Sequence, residues 1–244
     1  ILQLSESDNC SIASSGADIS SGASLSTGMH TITYTATDGA GNTSTSSFTV
    51  TILDDEDPEF LNPPASIAVE TDLDHCGAVV SWDPVQVSDN CEIISSTSSH
   101  GSGEMFPKGD TLVTMTILDN SNNQSTHSFT VTVTDTQAPT LSGLSGNISS
   151  TADLGMCGAI ISWDPPTTSD NCPGEMLSSN NDPGDFFAVG SHTVTYTVMD
   201  SSGLTLSGSF EVTVTDDEAP IFQTAPSSQT LSADLGACST SLMW

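Results

Sequence analysis

Carboxylates and thiols are the side chains of this sequence with most chemistry to offer. The 244 residues carry 31 Asp and Glu against a single Lys or Arg, Lys108, and five His, for a formal net charge of −30. The acids gather in two recurring settings. One precedes a proline: Asp54, Asp55 and Asp57 before Pro58, Asp135 before Pro139, and Asp216, Asp217 and Glu218 before Pro220. The other is a loop in which Asp8, Asp89 or Asp170 is followed by Asn-Cys. Calcium takes six to eight oxygen ligands, and clustered carboxylates with nearby carbonyls supply them. Calcium is therefore the cofactor these residues suit, and it would relieve their mutual repulsion. The lone acid of the middle run, Asp135 followed by Thr136 and Gln137, argues against a site at every joint. No EF-hand or nonapeptide calcium motif is present.

The six cysteines, Cys10, Cys76, Cys91, Cys157, Cys172 and Cys238, are regularly placed in a Ser- and Thr-rich chain, which reads as disulfides made in an oxidising compartment. No Cys-x-x-Cys spacing supports zinc. Nucleic acid and anionic membranes are excluded as partners, because binding them relies on Lys and Arg. No apolar run reaches the roughly 20 residues of a membrane-spanning helix. The histidines do not recur at a fixed step except His30 and His192, and no Ser-His-Asp order or paired-carboxylate constellation repeats, so no catalytic residues are assigned. Asn42-Thr-Ser, Asn123-Gln-Ser and Asn147-Ile-Ser are N-glycosylation triplets, and outward Thr and Ser could carry O-glycans.

These groups are positioned by a repeat. Trp82, Trp163 and Trp244 stand 81 residues apart, as do Cys76, Cys157 and Cys238, the three Asp-Asn-Cys loops, Gly28, Gly109 and Gly190, and Asp38, Asp119 and Asp200. No insertion breaks the step, which favours stacked modules with identical neighbour contacts. Inside each repeat apolar residues alternate with Thr and Ser, as in Ser-Phe-Thr-Val-Thr-Val-Thr at 128–134. Such period-two runs are half-buried strands. Asp38-Gly-Ala-Gly-Asn, Asp119-Asn-Ser-Asn-Asn and Asp200-Ser-Ser-Gly supply the turns between them. About 80 residues of this kind predict a seven-strand, immunoglobulin-like antiparallel β-sandwich, repeated in an all-β, rod-like array. The Asp/Pro junctions divide the chain into residues 1–57, 58–138, 139–219 and 220–244. The first piece is the closing part of a repeat and the last its opening strands, so the chain reads as a window of a longer polypeptide or as a subunit whose tail completes the next one's head.

Cys-Gly-Ala-Val-Val-Ser-Trp-Asp-Pro (76–84), Ser-Asp-Asn-Cys (88–91), Phe-Pro-Lys-Gly (106–109) and the Asp-x-x-Ala-Pro junction together resemble the hyalin repeat. The resemblance covers the whole chain. It implies an immunoglobulin-like fold of extracellular adhesion and matrix proteins, without catalysis. Where many members have a further cysteine, Ser47, Ser128 and Ser209 stand here, leaving one disulfide per domain. The expected pairs are Cys76–Cys91 and Cys157–Cys172, each closing about 15 residues, with Cys238 of one subunit bonded to Cys10 of the next or each bonded to a partner elsewhere on one long polypeptide. Each tryptophan is expected to pack in the core against the disulfide. The resulting expectation is a secreted structural element of a fibre, stalk or matrix, self-associating head to tail. The rival readings are an adhesin for a protein or glycan and an accessory region of a secreted enzyme.

Overall fold

Val, Ile, Phe and Tyr at every second position, with Thr between, leave the backbone one favourable arrangement, a pleated strand with one dry and one wet face. The computed structural model describes residues 5–242, so Trp244 lies outside the described residues, and among these every regular element is a strand. The chain forms two compact units, residues 5–72 with Gly77–Thr134, and Leu73–Cys76 with residues 135–242.

The first unit opens with β1 (Ile12–Ala17), β2 (Gly28–Asp38) and β3 (Thr43–Ile52), an antiparallel sheet in the order β1-β2-β3. It continues through β4 (Glu59–Phe60), β5 (Ile67–Glu70), β6 (Gly77–Val80), β7 (Val87–Ser88), β8 (Ile93–Ser98), β9 (Glu104–Pro107), β10 (Gly109–Asp119) and β11 (Gln124–Thr134). These make a four-stranded sheet, β5-β11-β10-β8, and two short ladders, β4-β7 and β6-β9. The second unit repeats the plan with β12 (Thr140–Ser142), β13 (Ile148–Thr151), β14 (Gly158–Ile160), β15 (Thr167–Ser169), β16 (Met176–Ser179), β17 (Phe186–Ala188), β18 (Gly190–Met199) and β19 (Thr205–Thr215). Its sheets are β13-β19-β18-β16, β12-β15 and β14-β17.

The all-β architecture is as the alternation implies, with two differences. The sandwich is not wholly antiparallel, because β5 runs parallel to β11 and β13 parallel to β19. The strand after each Cys-Gly-Ala motif is also split in two, β6 and β7 or β14 and β15. Asp83-Pro84 and Asp164-Pro165-Pro166 fall in the gap, where proline has no N–H for a ladder. Residues 220–242 contain no strand. In the complete repeat β12, β13 and β14 pair with β15, β19 and β17, all later in the chain, and no residues of this sequence stand in those places for 220–242.

The long hairpins keep one register throughout. Phe48 opposes Ile32, Phe129 opposes Val113, and Phe210 opposes Val194. Each hairpin starts at a glycine with positive φ, Gly28 (117°), Gly109 (105°) and Gly190 (134°), a conformation that side chains disfavour. In the complete repeats the inward residues close a core. Val113, Phe129, Val131 and Val133 pack with Ala78, Val80 and Phe106, and Val194, Phe210, Val212 and Val214 pack with Ala159, Ile161 and Phe187. Burying each such side chain is worth about 1.5–3 kcal/mol. Trp163 is buried on Phe187 and Phe210, its indole N–H donating to Tyr196 Oη at 2.9 Å. Trp82 packs the same way on Phe106 and Phe129. Their neighbours are thus aromatic rings, and no cysteine belongs to either core cluster.

The glycine of each Cys-Gly-Ala motif is imposed by packing. A Cβ on Gly77 would lie 2.5 Å from the Phe106 carbonyl oxygen, a backbone atom held by the β6–β9 ladder, and Gly158 meets the Phe187 carbonyl in the same way. Gly77→Ala or Gly158→Ala should therefore destabilise by about 1–3 kcal/mol. Gly146→Ala, with open space around it, should stay within about 0.5 kcal/mol of the parent. Thermal unfolding followed by circular dichroism checks the contrast; equal effects at the three positions would contradict the packing argument.

Candidate functional site

The turn of each long hairpin is organised by one aspartate. Asp119 Oδ1 accepts from the backbone N–H groups of Ser121 (2.9 Å) and Asn123 (2.7 Å), and its other oxygen accepts from the Asn123 side chain at 2.8 Å. Asp38 holds Ala40 and Asn42 likewise. Asp200 Oδ1 accepts from the Ser202 and Leu204 backbone N–H groups, both at 2.8 Å, but Leu204 has no side-chain amide to offer the second oxygen. Asp200 is 3% exposed, and its Oδ2 has no hydrogen-bond partner.

Two further aspartates converge there. Asp135 follows β19's counterpart β11, is 5% exposed, and accepts from Gln137 N–H (3.2 Å), Asn171 Nδ2 (3.3 Å) and Ser202 Oγ (2.9 Å). Asp170, in the Asp-Asn-Cys loop, accepts from Cys172 N–H at 2.9 Å through Oδ1 and leaves its buried Oδ2 without a partner. One oxygen from each of Asp135, Asp170 and Asp200 lies within 4.8 Å of the others. Three carboxylates this close repel one another unless a countercharge or a shared proton intervenes. The donor set is hard oxygen, which fits calcium or magnesium and not a thiophilic metal. The middle run, the poorest in acids by sequence, is thus the one that assembles three carboxylates.

One repeat earlier the same positions bring Asp54 and Asp89 together with the Cys91 sulfur, again within 4.8 Å. Here Asn90 Nδ2 donates to Asp54 Oδ1 at 3.1 Å, and Asn123 Nδ2 to the Asp54 carbonyl at 3.1 Å. Asp119 has both oxygens met within its turn. Asp55, Asp57, Asp216, Asp217 and Glu218 are exposed and join neither cluster among the described residues. Asp216 is the register equivalent of Asp54 and Asp135. Asp119 and Asp200 are the members that sequence reasoning missed as ligands. Their signal was present, an acid repeating at the 81-residue step, but it reads first as turn chemistry.

The structure corrects the disulfide. Cys76 pairs with Cys172, 96 residues away, with Cα atoms 4.7 Å apart, and Cys10, Cys91, Cys157 and Cys238 are free thiols. The reason lies in the strands. Cys91 sits at the hairpin-turn end of its repeat, where Asn120 N–H donates to Glu92 and β8 pairs with Asp119. The Cys76 loop lies at the other end, where Thr71 N–H donates to Thr134. Between the two ends runs β11, 11 residues long, or roughly 35 Å. The repeat that follows separates Cys157 from Cys172 with β19 in the same way. The 15-residue pairings are therefore out of reach.

Of the glycosylation triplets, Asn147 is exposed and uses its Oδ1 to accept from Glu211 N–H. Asn42 is exposed and donates to Asp38. Asn123 donates to both Asp54 and Asp119, so a glycan on its nitrogen would displace one of these bonds. His30 and His192 make one repeated bond, from Nε2 to the Ser26 and Ala188 carbonyls.

The Asp54 carboxylate accepts from the Cys91 thiol, and that bond, reinforced by Asn90, holds its pKa below the usual value against the opposing effect of desolvation. The same contact pushes the Cys91 thiol up to about 11, helped by desolvation and the charges of Asp89 and Asp119. Alkylation of Cys91 in the reduced chain should rise through about pH 11 instead of 9, and Asp54→Ala should bring it back toward 9. Asp38 is held down chiefly by the Asn42 side chain. Depressed carboxylates contribute stability that is fully present above their unfolded value, near 3.8, and is lost progressively as the pH falls from there through the lower folded value. Iodoacetamide mass mapping and acid unfolding check the two statements.

The chain matches the HYR domain at residues 5–52, 53–133 and 134–214. It is 38% identical over 203 residues to hyalin of Strongylocentrotus purpuratus, covering 79% of this chain and 17% of that protein. With hyalin of Lytechinus variegatus it shares 32% identity over 198 residues, 78% of this chain and 37% of the other. The chain thus spans less than two fifths of the length of either hyalin. A mouse sushi, von Willebrand factor type A, EGF and pentraxin domain-containing protein 1 matches 99 residues at 41%, or 39% of this chain and 3% of that protein. Among solved structures, a protocadherin gammaB7 EC3-6 cis-dimer aligns at TM-score 0.33 and 19% identity, over 77% of this chain and 58% of that one. With the repeats, the Asp-Asn-Cys loops and the Cys-Gly-Ala motif all in place, this chain belongs to the HYR domain family.

Proposed function

We propose that this chain is a secreted, load-carrying segment of an extracellular fibre, stalk or matrix, built by head-to-tail stacking of its repeats and stiffened by calcium. The observation that carries the reading is the recurrence of one acidic arrangement at the same repeat phase. Asp54 and Asp89 come together in one repeat, and Asp135, Asp170 and Asp200 in the next. Each cluster joins the acid four residues before a repeat's proline to the Asp-Asn-Cys loop of that repeat, so a cation bound there ties two segments of one unit together. Asp200 Oδ2 and Asp170 Oδ2, buried without hydrogen-bond partners, are the oxygens available to it. Asp135 completes the set, with backbone carbonyls and water making up the coordination number. The formal charge of −30 adds a reason for a divalent counterion, since self-repulsion otherwise opposes the compact state. The role is mechanical and adhesive, without a catalytic step.

Millimolar calcium should raise the melting temperature of the chain, by the linkage between binding and folding. Asp200→Asn should abolish most of that rise. In chelator alone the variant should melt no lower than the parent, because it relieves repulsion and keeps the Oδ1 that holds the turn. Electron microscopy of non-reduced material should show uniform thin filaments in calcium that shorten or disperse on chelation. Short particles in both conditions, or melting indifferent to calcium, would contradict the proposal.

A further inference from the structure

The Cys76–Cys172 bond uses two loops, and both recur elsewhere in the same geometry with free thiols. The donor loop is residues 72–77. Asp72 N–H donates to the Gly77 carbonyl (2.7 Å), Asp72 Oδ2 accepts from Val79 N–H (2.9 Å), Asp74 has φ 60°, and Asp74 N–H donates to Gln137 Oε1 (3.1 Å). One repeat on, Asp153 N–H donates to Gly158 (2.8 Å) and Asp153 Oδ2 accepts from Ile160 N–H (3.2 Å). Gly155 there has φ 75°, and its N–H donates to Glu218 Oε2 (2.9 Å). A further repeat on, Asp234 N–H donates to Ser239 (2.9 Å), and Gly236 has φ 87°. The loops at 154–157 and 235–238 thus hold the bonded shape without the bond. They present Cys157 and Cys238 to solvent, with Leu154 92% exposed beside Cys157.

The receiving loop is equally regular. Cys172 N–H donates to Asp170, Cys91 N–H to Asp89 and Cys10 N–H to Asp8, each at 2.9 Å. Only Cys172 has its partner, because the residue 96 positions before Cys91 or Cys10, or after Cys157 or Cys238, is not in this sequence.

We infer that Cys157 and Cys238 are half-bridges for the Asp-Asn-Cys cysteine of a following repeat, and that Cys91 and Cys10 receive the Cys-Gly-Ala cysteine of a preceding one. The inference deepens the stacking reading above and rests on it. Every bridge then joins position n to n + 96 in the repeat numbering, and each period is covalently tied to the next. In a preparation of this chain the partner is a second copy; in a longer polypeptide it is the adjoining repeat. A small disulfide such as oxidised glutathione supplies the oxidising equivalents. The thiolate of one cysteine displaces one glutathione thiolate to form a mixed disulfide, and the second cysteine displaces the other. Two thiols and one glutathione disulfide become one protein disulfide and two glutathione thiols.

The test is to reoxidise the reduced chain in a glutathione buffer, alkylate what remains, and map peptides without reduction after acid-specific proteolysis. Expected are Cys76–Cys172 within the chain, and interchain peptides joining Cys157 or Cys238 to Cys10 or Cys91. A non-reducing gel should show a ladder of multimers that reductant collapses, and Cys157→Ser with Cys238→Ser should leave monomer. Cys76–Cys91 or Cys157–Cys172 peptides, like-with-like pairs such as Cys157–Cys157, or complete alkylation of Cys157 and Cys238 would overturn the inference. Filaments of reoxidised chain that contain none of these bridges would sink it while leaving stacking intact. Bridges of the expected pattern without filaments would do the reverse. The natural protein, alkylated on extraction and mapped in the same way, distinguishes an adjoining repeat from a second copy as the source.

Discussion

The carboxylate at the turn of each long hairpin, buried at Asp119 and Asp200, is the interaction on which most else depends. Its Oδ1 takes two backbone N–H groups, at i+2 and i+4, and so fixes the turn between the two longest strands of the repeat. The turn sets the register, and the register decides which face of β10 and β11, or β18 and β19, carries Val and Phe inward. A buried charge is tolerable only when its oxygens are met. In one repeat Asn123 meets the remaining oxygen from within. In the next, Leu204 stands at that position and the remaining oxygen of Asp200 has no hydrogen-bond partner, in a residue that clusters with Asp135 and Asp170. One substitution in the turn thus separates a self-contained structural aspartate from a prospective cation ligand.

The strands also give each repeat a polarity. The hairpin turn, the Asp-Asn-Cys loop and the end of the preceding period meet at one end, and the Cys-Gly-Ala loop lies at the other. Two cysteines separated by the length of β11 cannot meet inside one repeat. A link between opposite ends of successive units is heterologous, the kind of contact that propagates without closing. On chain-entropy grounds a bond closing a loop on the order of 100 residues stabilises by about 4.7 kcal/mol, against roughly 3 for a 15-residue loop. The longer connection is therefore the stronger constraint as well as the one that geometry permits.

Much of this was legible in the sequence. Alternation in Ser-Phe-Thr-Val-Thr-Val-Thr marks β11 because side-chain direction has period two, and the 81-residue step of Trp, Gly and Asp marks the repeats because each role needs one residue type. The parallel pairing of β5 with β11 was not legible, since alternation says which face is dry and nothing of strand direction. The Cys76–Cys172 pairing was not legible, since nearness along the chain says nothing of nearness in space, and β6 and β7 carry the backbone from one end of the repeat to the other. Asp55, Asp57, Asp216, Asp217 and Glu218 drew attention by density, yet burial and convergence select a ligand. Those depend on Asp200, which composition disguises as an ordinary turn former.

The central claim is that Asp135, Asp170 and Asp200 hold a divalent cation. Its most direct test is a crystal structure of the chain grown in calcium, with anomalous difference density calculated at long wavelength. The account predicts a peak coordinated by oxygens of all three aspartates at about 2.3–2.6 Å. Density showing only water among the three carboxylates, or a protonated pair hydrogen-bonded to each other with no ion, would contradict it.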